Sequence, residues 1–279
     1  MIGIGKTYTE QINGSVRLCA PVRFGDRELD IWYGVTEEQK DALSTGRADP
    51  FVMALLPAAM RSGSDICSED PMSERLHFQL RNDLIPTLCH AGALYLPVSL
   101  HTPLTSQRFP SAKAVSAVFS DRADSLYTIF RHGAGSEYPL THLAVFRTGF
   151  HGEKDGENGF RDDCGRCGNF ARKSGLKTVF VDSNLSDMLP EKQAEVEPFR
   201  LLSFALALQG LISVFLVSSV YPYEGFRVDA GNARLFDPLS VICACTESTQ
   251  FYLSGAETDL VNKREELSRR ESFSGLKEA

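Results

Sequence analysis

In the second half of the chain, short apolar runs alternate with helical patterns. The strand-like runs are Ala114–Phe119, His142–Phe146, Thr178–Val181 and Leu211–Val217. Helical spacing fits Asp124–His132, Asn169–Ser174, Glu195–Gln209 and Thr258–Arg270. Apolar strands separated by helices predict a parallel sheet with helices on both faces. The expected fold class is therefore α/β, a Rossmann-like doubly wound parallel sheet over 111–279, with a smaller α+β domain over 1–110.

The first domain reads differently. Ser15–Phe24 and Leu29–Tyr33 predict two strands joined by the turn Gly25-Asp26-Arg27. Thr36–Leu43 opens with a capping residue followed by Glu37, Glu38 and Gln39, a helix-start signature. Pro50–Met60 and Ser73–Leu84 predict two further helices, and the proline-rich Pro97–Pro110 predicts a linker.

Composition narrows the picture. With 279 residues and 43% hydrophobic content, the chain can bury one large core or two modest ones. A net charge of -7 without a clustered basic face argues against a nucleic-acid partner. Met1–Thr7 lack the basic start and apolar core of a signal peptide, and an odd count of seven cysteines argues for reduced thiols. A cytoplasmic location is the expectation. Leu201–Val220 carries no charge and is long enough to span a bilayer. Gly210 falls where a helix would stop, β-branched residues follow, and Pro222 closes the run, so a buried helix leading into a buried strand is expected, not a membrane segment.

The chemistry concentrates after the first of the alternating strands. Ser120-Asp121-Arg122-Ala123-Asp124-Ser125 is a polar loop between the apolar run ending at Phe119 and a helical pattern through Leu126, Tyr127, Ile129 and Phe130. Free N–H groups and the helix dipole at such a junction favour an anion, and ligands of parallel sheets bind beyond the carboxyl ends of the strands. Asp182-Ser183-Asn184 ends another strand and reads equally as a ribose or substrate contact or as a helix cap before Leu185–Leu189. Cys164-Gly165-Arg166-Cys167 has the spacing of a zinc half-site or redox pair. Since Cys243-Ala244-Cys245 makes a poor second half, the favoured reading is a glycine-rich loop over Gly152–Gly168 with two exposed thiols.

The loop resembles the Ser-Gly-Gly-x-Asp-Ser loop of N-type ATP pyrophosphatases, the PP-loop branch of the adenine nucleotide alpha-hydrolase-like (HUP) superfamily. Ser120, Asp124, Ser125 and the preceding strand match; Asp121 and Arg122 stand where the family has glycines. The runs Ala54–Met60, Val179–Leu185 and Phe236–Ser240 resemble segments of PP-loop proteins that carry an extra N-terminal domain. The resemblance implies ATP and Mg²⁺ as cofactors, with Ser120, Asp121 and Ser125 at the phosphates and Asp124 at the metal. Arg122 would neutralise developing pyrophosphate charge, which makes Asp124 and Arg122 the catalytic candidates. The backbone edges of Val145 and Phe146 would hold adenine, and Asp182, Ser183 and Asn184 would complete the site. The implied activity is ATP-dependent adenylation in a biosynthetic or modification pathway, forming an amide or a thio product. The acceptor would be a small molecule or peptide, and a homo-oligomer or a partner subunit is left open. The alternative is a non-catalytic nucleotide-binding or scaffold member, favoured by the replaced glycines and by the lack of the C-terminal cysteine cluster that many relatives carry.

Overall fold

Strands β9 (Ala114–Val118), β10 (His142–Phe146), β11 (Lys177–Ser183), β12 (Ile212–Ser218) and β13 (Gln250–Ser254) form the parallel part of the sheet. They are apolar on both faces because both faces are covered. Leu143 and Val145 of β10 pack with Val214 and Leu216 of β12 against Ile129, Cys167 and Ala171 on one side. On the other side Ala144, Phe146, Phe215 and Val217 meet Phe199 and Phe204. The helices on the first side are α4 (Ala123–Arg131) and α5 (Gly156–Ser174); those on the second include α7 (Gln193–Leu206) and α8 (Asp237–Cys243). The structure is a computed structural model and describes residues 1–91, 94–149, 156–189 and 192–269. His151, the start of the expected Gly152–Gly168 loop, and the tail after Arg269 lie outside the described residues.

The sheet order is β13-β12-β9-β10-β11, with parallel register between every neighbouring pair. Counted from β9 in chain order, this is 5-4-1-2-3, which read from the other edge is the order of the first five strands of a Rossmann sheet. The chain is thus a mixed α/β protein with a large, mostly parallel central sheet, compatible with a Rossmann-like arrangement. The sheet continues past β11. Strand β4 (Arg27–Thr36) pairs antiparallel with it at Asp182 and Ser183, and β3 (Ser15–Phe24), β1 (Ile2–Ile4), β5 (Ile66–Ser68) and β7 (Leu100–His101) follow in that order. Strand β2 (Tyr8–Ile12) pairs with β3, and β6 (Met72–Ser73) with β8 (Leu104–Thr105) in a separate ribbon.

The N-terminal hairpin forms as expected, though β4 runs longer at both ends and the turn shortens to Gly25-Asp26. The expected Thr36–Leu43 helix is a 3-10 turn over Glu37–Ala42, and the Thr36 side chain does not cap it. Helix α1 (Asp49–Ser62) lies against α7, where the Tyr33 ring sits edge-on to Phe51 and Phe204 at 5.5 and 5.2 Å. The second helix divides into α2 (Glu74–Gln79), a π-turn over Leu80–Leu84, and α3 (Ile85–Ala91). Short helix α6 (Leu185–Met188) follows β11, and α9 (Leu260–Ser268) closes the described chain. The Pro97–Pro110 passage contributes β7 and β8, so it is woven into the sheets.

Two readings need correction. The region around Cys164 is not a loop but helix α5, and its thiols are not both exposed: Cys167 is fully buried. Its four glycines hide the helix in the sequence, while Phe160, Cys164, Cys167 and Phe170 recur at helical spacing and pack on the sheet. Burial pushes both thiols up to about 12, which disfavours the thiolate form. Among the described residues no three His, Cys, Asp or Glu side chains converge as a metal site.

The other correction concerns Gly210. The uncharged Leu201–Val220 run is indeed a buried helix and strand, and no helix among the described residues is long and apolar enough to cross a membrane. Helix α7, however, ends at Leu206, before Gly210. What requires glycine there is close approach: a Cβ would stand 2.3 Å from the Asp41 carbonyl oxygen and 2.9 Å from that of Ala42. Backbone cannot swing away as a flexible side chain can. Gly210→Ala is expected to cost about 1–3 kcal/mol, toward the upper end, as overpacking against fixed atoms does. Urea unfolding would measure it, and a loss under about 0.5 kcal/mol, the range of neutral surface changes, would show that this contact gives way freely.

Candidate functional site

Strand β9 ends at Val118, and the chain crosses the top of the sheet in the Ser120–Ser125 loop before entering α4. At this point the winding of the sheet reverses: β10 and β11 lie to one side of β9, β12 and β13 to the other. The carboxyl ends of β9, β10 and β12 therefore part and leave a crevice, where such sheets bind ligands. Its volume is about 280 Å³.

The loop is closed from within. Ser125 Oγ donates to the Val118 carbonyl at 2.7 Å and accepts from the Ser120 N–H at 3.0 Å. Ser125 thus clasps the loop shut, and its one hydroxyl proton is spent on the backbone. Ser120 Oγ accepts a long bond from the Arg122 N–H at 3.4 Å, which leaves its own proton free to donate. Arg122 stands at the helix N-cap in extended conformation, and no side chain caps the helix. The first N–H groups of α4 accordingly have no intrahelical partner and face the loop.

The backbone here needs no left-handed residue. Among the described residues only Asn13 is a non-glycine with positive φ, so Asp121 and Arg122 sit in the loop without strain. One reason for glycine is thus absent, and what Asp121 and Arg122 change is charge and space. Arg122 Nε donates to Asp124 Oδ1 at 3.2 Å, and Arg166 of α5 lies 3.8 Å from Asp121 Oδ2 and also pairs with Asp163.

The wall facing the loop is a buried charge cluster. Arg234 donates to Glu197 at 2.9 Å and to Asp237 at 3.2 Å. Asp237 Oδ1 and Arg234 Nε are buried with no hydrogen-bond partner. Burial pushes the Asp237 carboxyl up to about 6 although Arg234 pulls the other way; Glu197 and Asp124 add to the rise.

Of the residues expected from the sequence, Ser120, Asp121, Arg122, Asp124, Ser125, Val145 and Phe146 line this one crevice. Compared with known proteins, the chain matches no family model, no curated protein and no solved structure. Asp182, Ser183 and Asn184 are not in the crevice lining. Asp182 pairs with Arg147 at 3.0 Å, Ser183 Oγ donates to the Trp32 carbonyl at 2.6 Å, and Asn184 bonds the backbone of Trp32 and Asp30. Ser183 and Asn184 tie the end of β11 to β4, and Asp182 ties it to the residue after β10. Sequence reasoning missed Thr148, Asp163, Arg166, Glu197 and Arg234, all of which line the crevice. Two of them left a trace: Arg166 lies within the Cys164–Cys167 motif, and Arg234 stands three residues before Asp237 of the Phe236–Ser240 run.

A magnesium ion in such a place is held by one or two carboxylates with substrate phosphates and water. Asp124, 8% exposed beside the helix start, fits that role as a single protein ligand. Ser120 and the uncapped N–H groups suit phosphate oxygens.

Proposed function

We propose that this chain binds an adenine nucleotide at the Ser120–Ser125 loop and, as an enzyme, uses ATP to adenylate an acceptor in the manner of N-type ATP pyrophosphatases. One observation carries the reading: an uncapped helix N-terminus follows a polar loop at the point where the strand order reverses. The 3-2-1-4-5 order and helices on both faces support assignment to the doubly wound, HUP-type sheet.

On this reading Ser120 and the α4 N–H groups hold the phosphates, Arg122 offsets the charge that builds as pyrophosphate leaves, and Asp124 holds Mg²⁺. The ion supplies charge neutralisation at the phosphates. A carboxylate or carbonyl oxygen of a small molecule or peptide is activated as its adenylate, and a nitrogen or sulfur nucleophile then displaces AMP. The backbone edges of Val145 and Phe146, which line the crevice, would hold the adenine ring. Assembly with a second copy or a partner subunit belongs to the same proposal.

A second reading has its own support. Each arginine lining the crevice is already paired with a carboxylate, and Asp121 and Arg122 occupy the path by which a backbone would approach phosphates. A member that binds nucleotide without turning it over would look like this.

Thermal unfolding with and without nucleotide tests binding first. At about 5 mM ATP with Mg²⁺, a millimolar binder gains about 1 kcal/mol of stability. No shift at that concentration counts against both readings. Pyrophosphate release across candidate amine and thiol acceptors then separates enzyme from binding module.

A further inference from the structure

The arginines that line the crevice do not leave an uncommitted positive charge for a polyphosphate. Arg122 is held by Asp124, Arg166 by Asp163 and Asp121, and Arg234 by Glu197 and Asp237. The crevice itself, at about 280 Å³, sits at the lower limit of ordinary ligand pockets. A second depression of about 610 Å³ adjoins it on the opposite side of the loop, sharing Asp121, Arg122 and Asp124 and bounded by Val220 and by Arg264 of α9. The Arg264 side chain is exposed and, among the described residues, takes part in no ion pair or hydrogen bond.

The residue before it is Lys263, 1% exposed. Its ammonium donates to the Ser219 carbonyl at 2.7 Å and lies 5.7 Å from the centre of the Tyr127 ring. That one acceptor leaves two of its three protons without a partner. The niche is made by Gly255, where φ is +84° and an added Cβ would come within 3.0 Å of Lys263 Cε. Burying an ammonium is costly, and a leucine or methionine would serve helix packing without that cost. Burial pulls the Lys263 pKa below its ordinary value, while the carboxylates of Asp124, Glu257 and Asp259 act against that shift and favour the charged form.

We infer that helix α9 completes the anion site: Arg264 binds the terminal phosphates in the second depression, and Lys263 is a positioning residue whose buried charge offsets the Asp124 carboxylate beneath them. The ligand class is a polyphosphate, straddling the loop with its base and sugar in the crevice. The inference rests on the nucleotide reading above and adds to it the element that supplies the charge.

Calorimetric titrations of the full chain with inorganic pyrophosphate, MgATP and adenosine decide it, using Arg264→Gln, Arg264→Lys and Lys263→Met. Arg264→Gln should weaken pyrophosphate and MgATP by about tenfold or more, as loss of a charge-assisted hydrogen bond does, and leave adenosine within about twofold. Arg264→Lys should recover part of that loss. Lys263→Met should show the same split between phosphate ligands and adenosine, which a merely structural role would not produce. Phosphate affinities within twofold of the parent in Arg264→Gln, or an equal loss for adenosine, overturn the inference while leaving nucleotide binding in place. If the parent binds pyrophosphate but not adenosine or ATP, the nucleotide reading fails, and loss of pyrophosphate in Arg264→Gln still upholds α9 as the anion element. A parent that binds none of the three overturns both.

Discussion

Replacing Arg234 by alanine is expected to lower the free energy of unfolding by about 3–5 kcal/mol, the cost of leaving a buried charge without its partner. The guanidinium stands between two desolvated carboxylates, with side-chain exposures of 19% for Glu197 and 1% for Asp237. Asp237 would lose the only donor its carboxylate has among the described residues. The deficit should also depend on pH. Burial already raises the Asp237 pKa from 3.8 to about 6. A group whose pKa is raised on folding contributes stability that is present below its unfolded pKa and lost as the pH climbs through its folded one. Removing Arg234 raises the folded pKa further, so the variant should be penalised less at about pH 5 than at about pH 8. Denaturant unfolding at the two pH values measures this. An equal deficit at both, or one below about 1 kcal/mol, the scale of an exposed pair, would mean that the cluster is solvated.

The second large effect concerns the two residues that stand where the resembling family has glycines. Arg122→Ala should weaken nucleotide binding by about 1.5–3 kcal/mol, the usual worth of a hydrogen bond to a charged group. Asp121→Gly should tighten it. The Asp121 carboxylate is 73% exposed, so its repulsion of a phosphate is screened to about 1 kcal/mol, the value for charges 4 Å apart in water. Because the loop contains no positive φ, the gain would come from charge and room and not from released strain. If the protein is a binding module that has lost turnover, Asp121→Gly combined with Arg122→Gly should raise affinity without producing pyrophosphate release. Calorimetry that finds both single variants unchanged would remove the loop from the phosphate site.

Much of the site was legible before folding was considered, because its signal is local. Strand, polar loop and helix follow one another between Ala114 and Arg131, and the hydrogen bonds of Ser120 and Ser125 close within that stretch. Strand β10 was legible to its ends for the same reason: four apolar residues follow His142 between polar flanks. Local signals also misled. Glycine content made α5 look like a loop, whereas packing of one face against the sheet overrides glycine's poor helix propensity.

By itself the sequence determined the α/β alternation, the apolar strands buried on both faces, and the loop whose residues gather in one crevice. Only the tertiary structure decided how far that sheet extends, through the Asp182 and Ser183 pairing with β4 that carries it into the N-terminal half. Tertiary structure also decided what stands opposite the loop. Glu197, Arg234 and Lys263 are separated in the chain by 37 and 29 residues, and all three act near Asp124 because α7, the segment before α8, and α9 converge at the carboxyl ends of the parallel strands. Local pattern reports which residues seek burial; long-range packing alone decides which charges must then share a dry site and compensate one another.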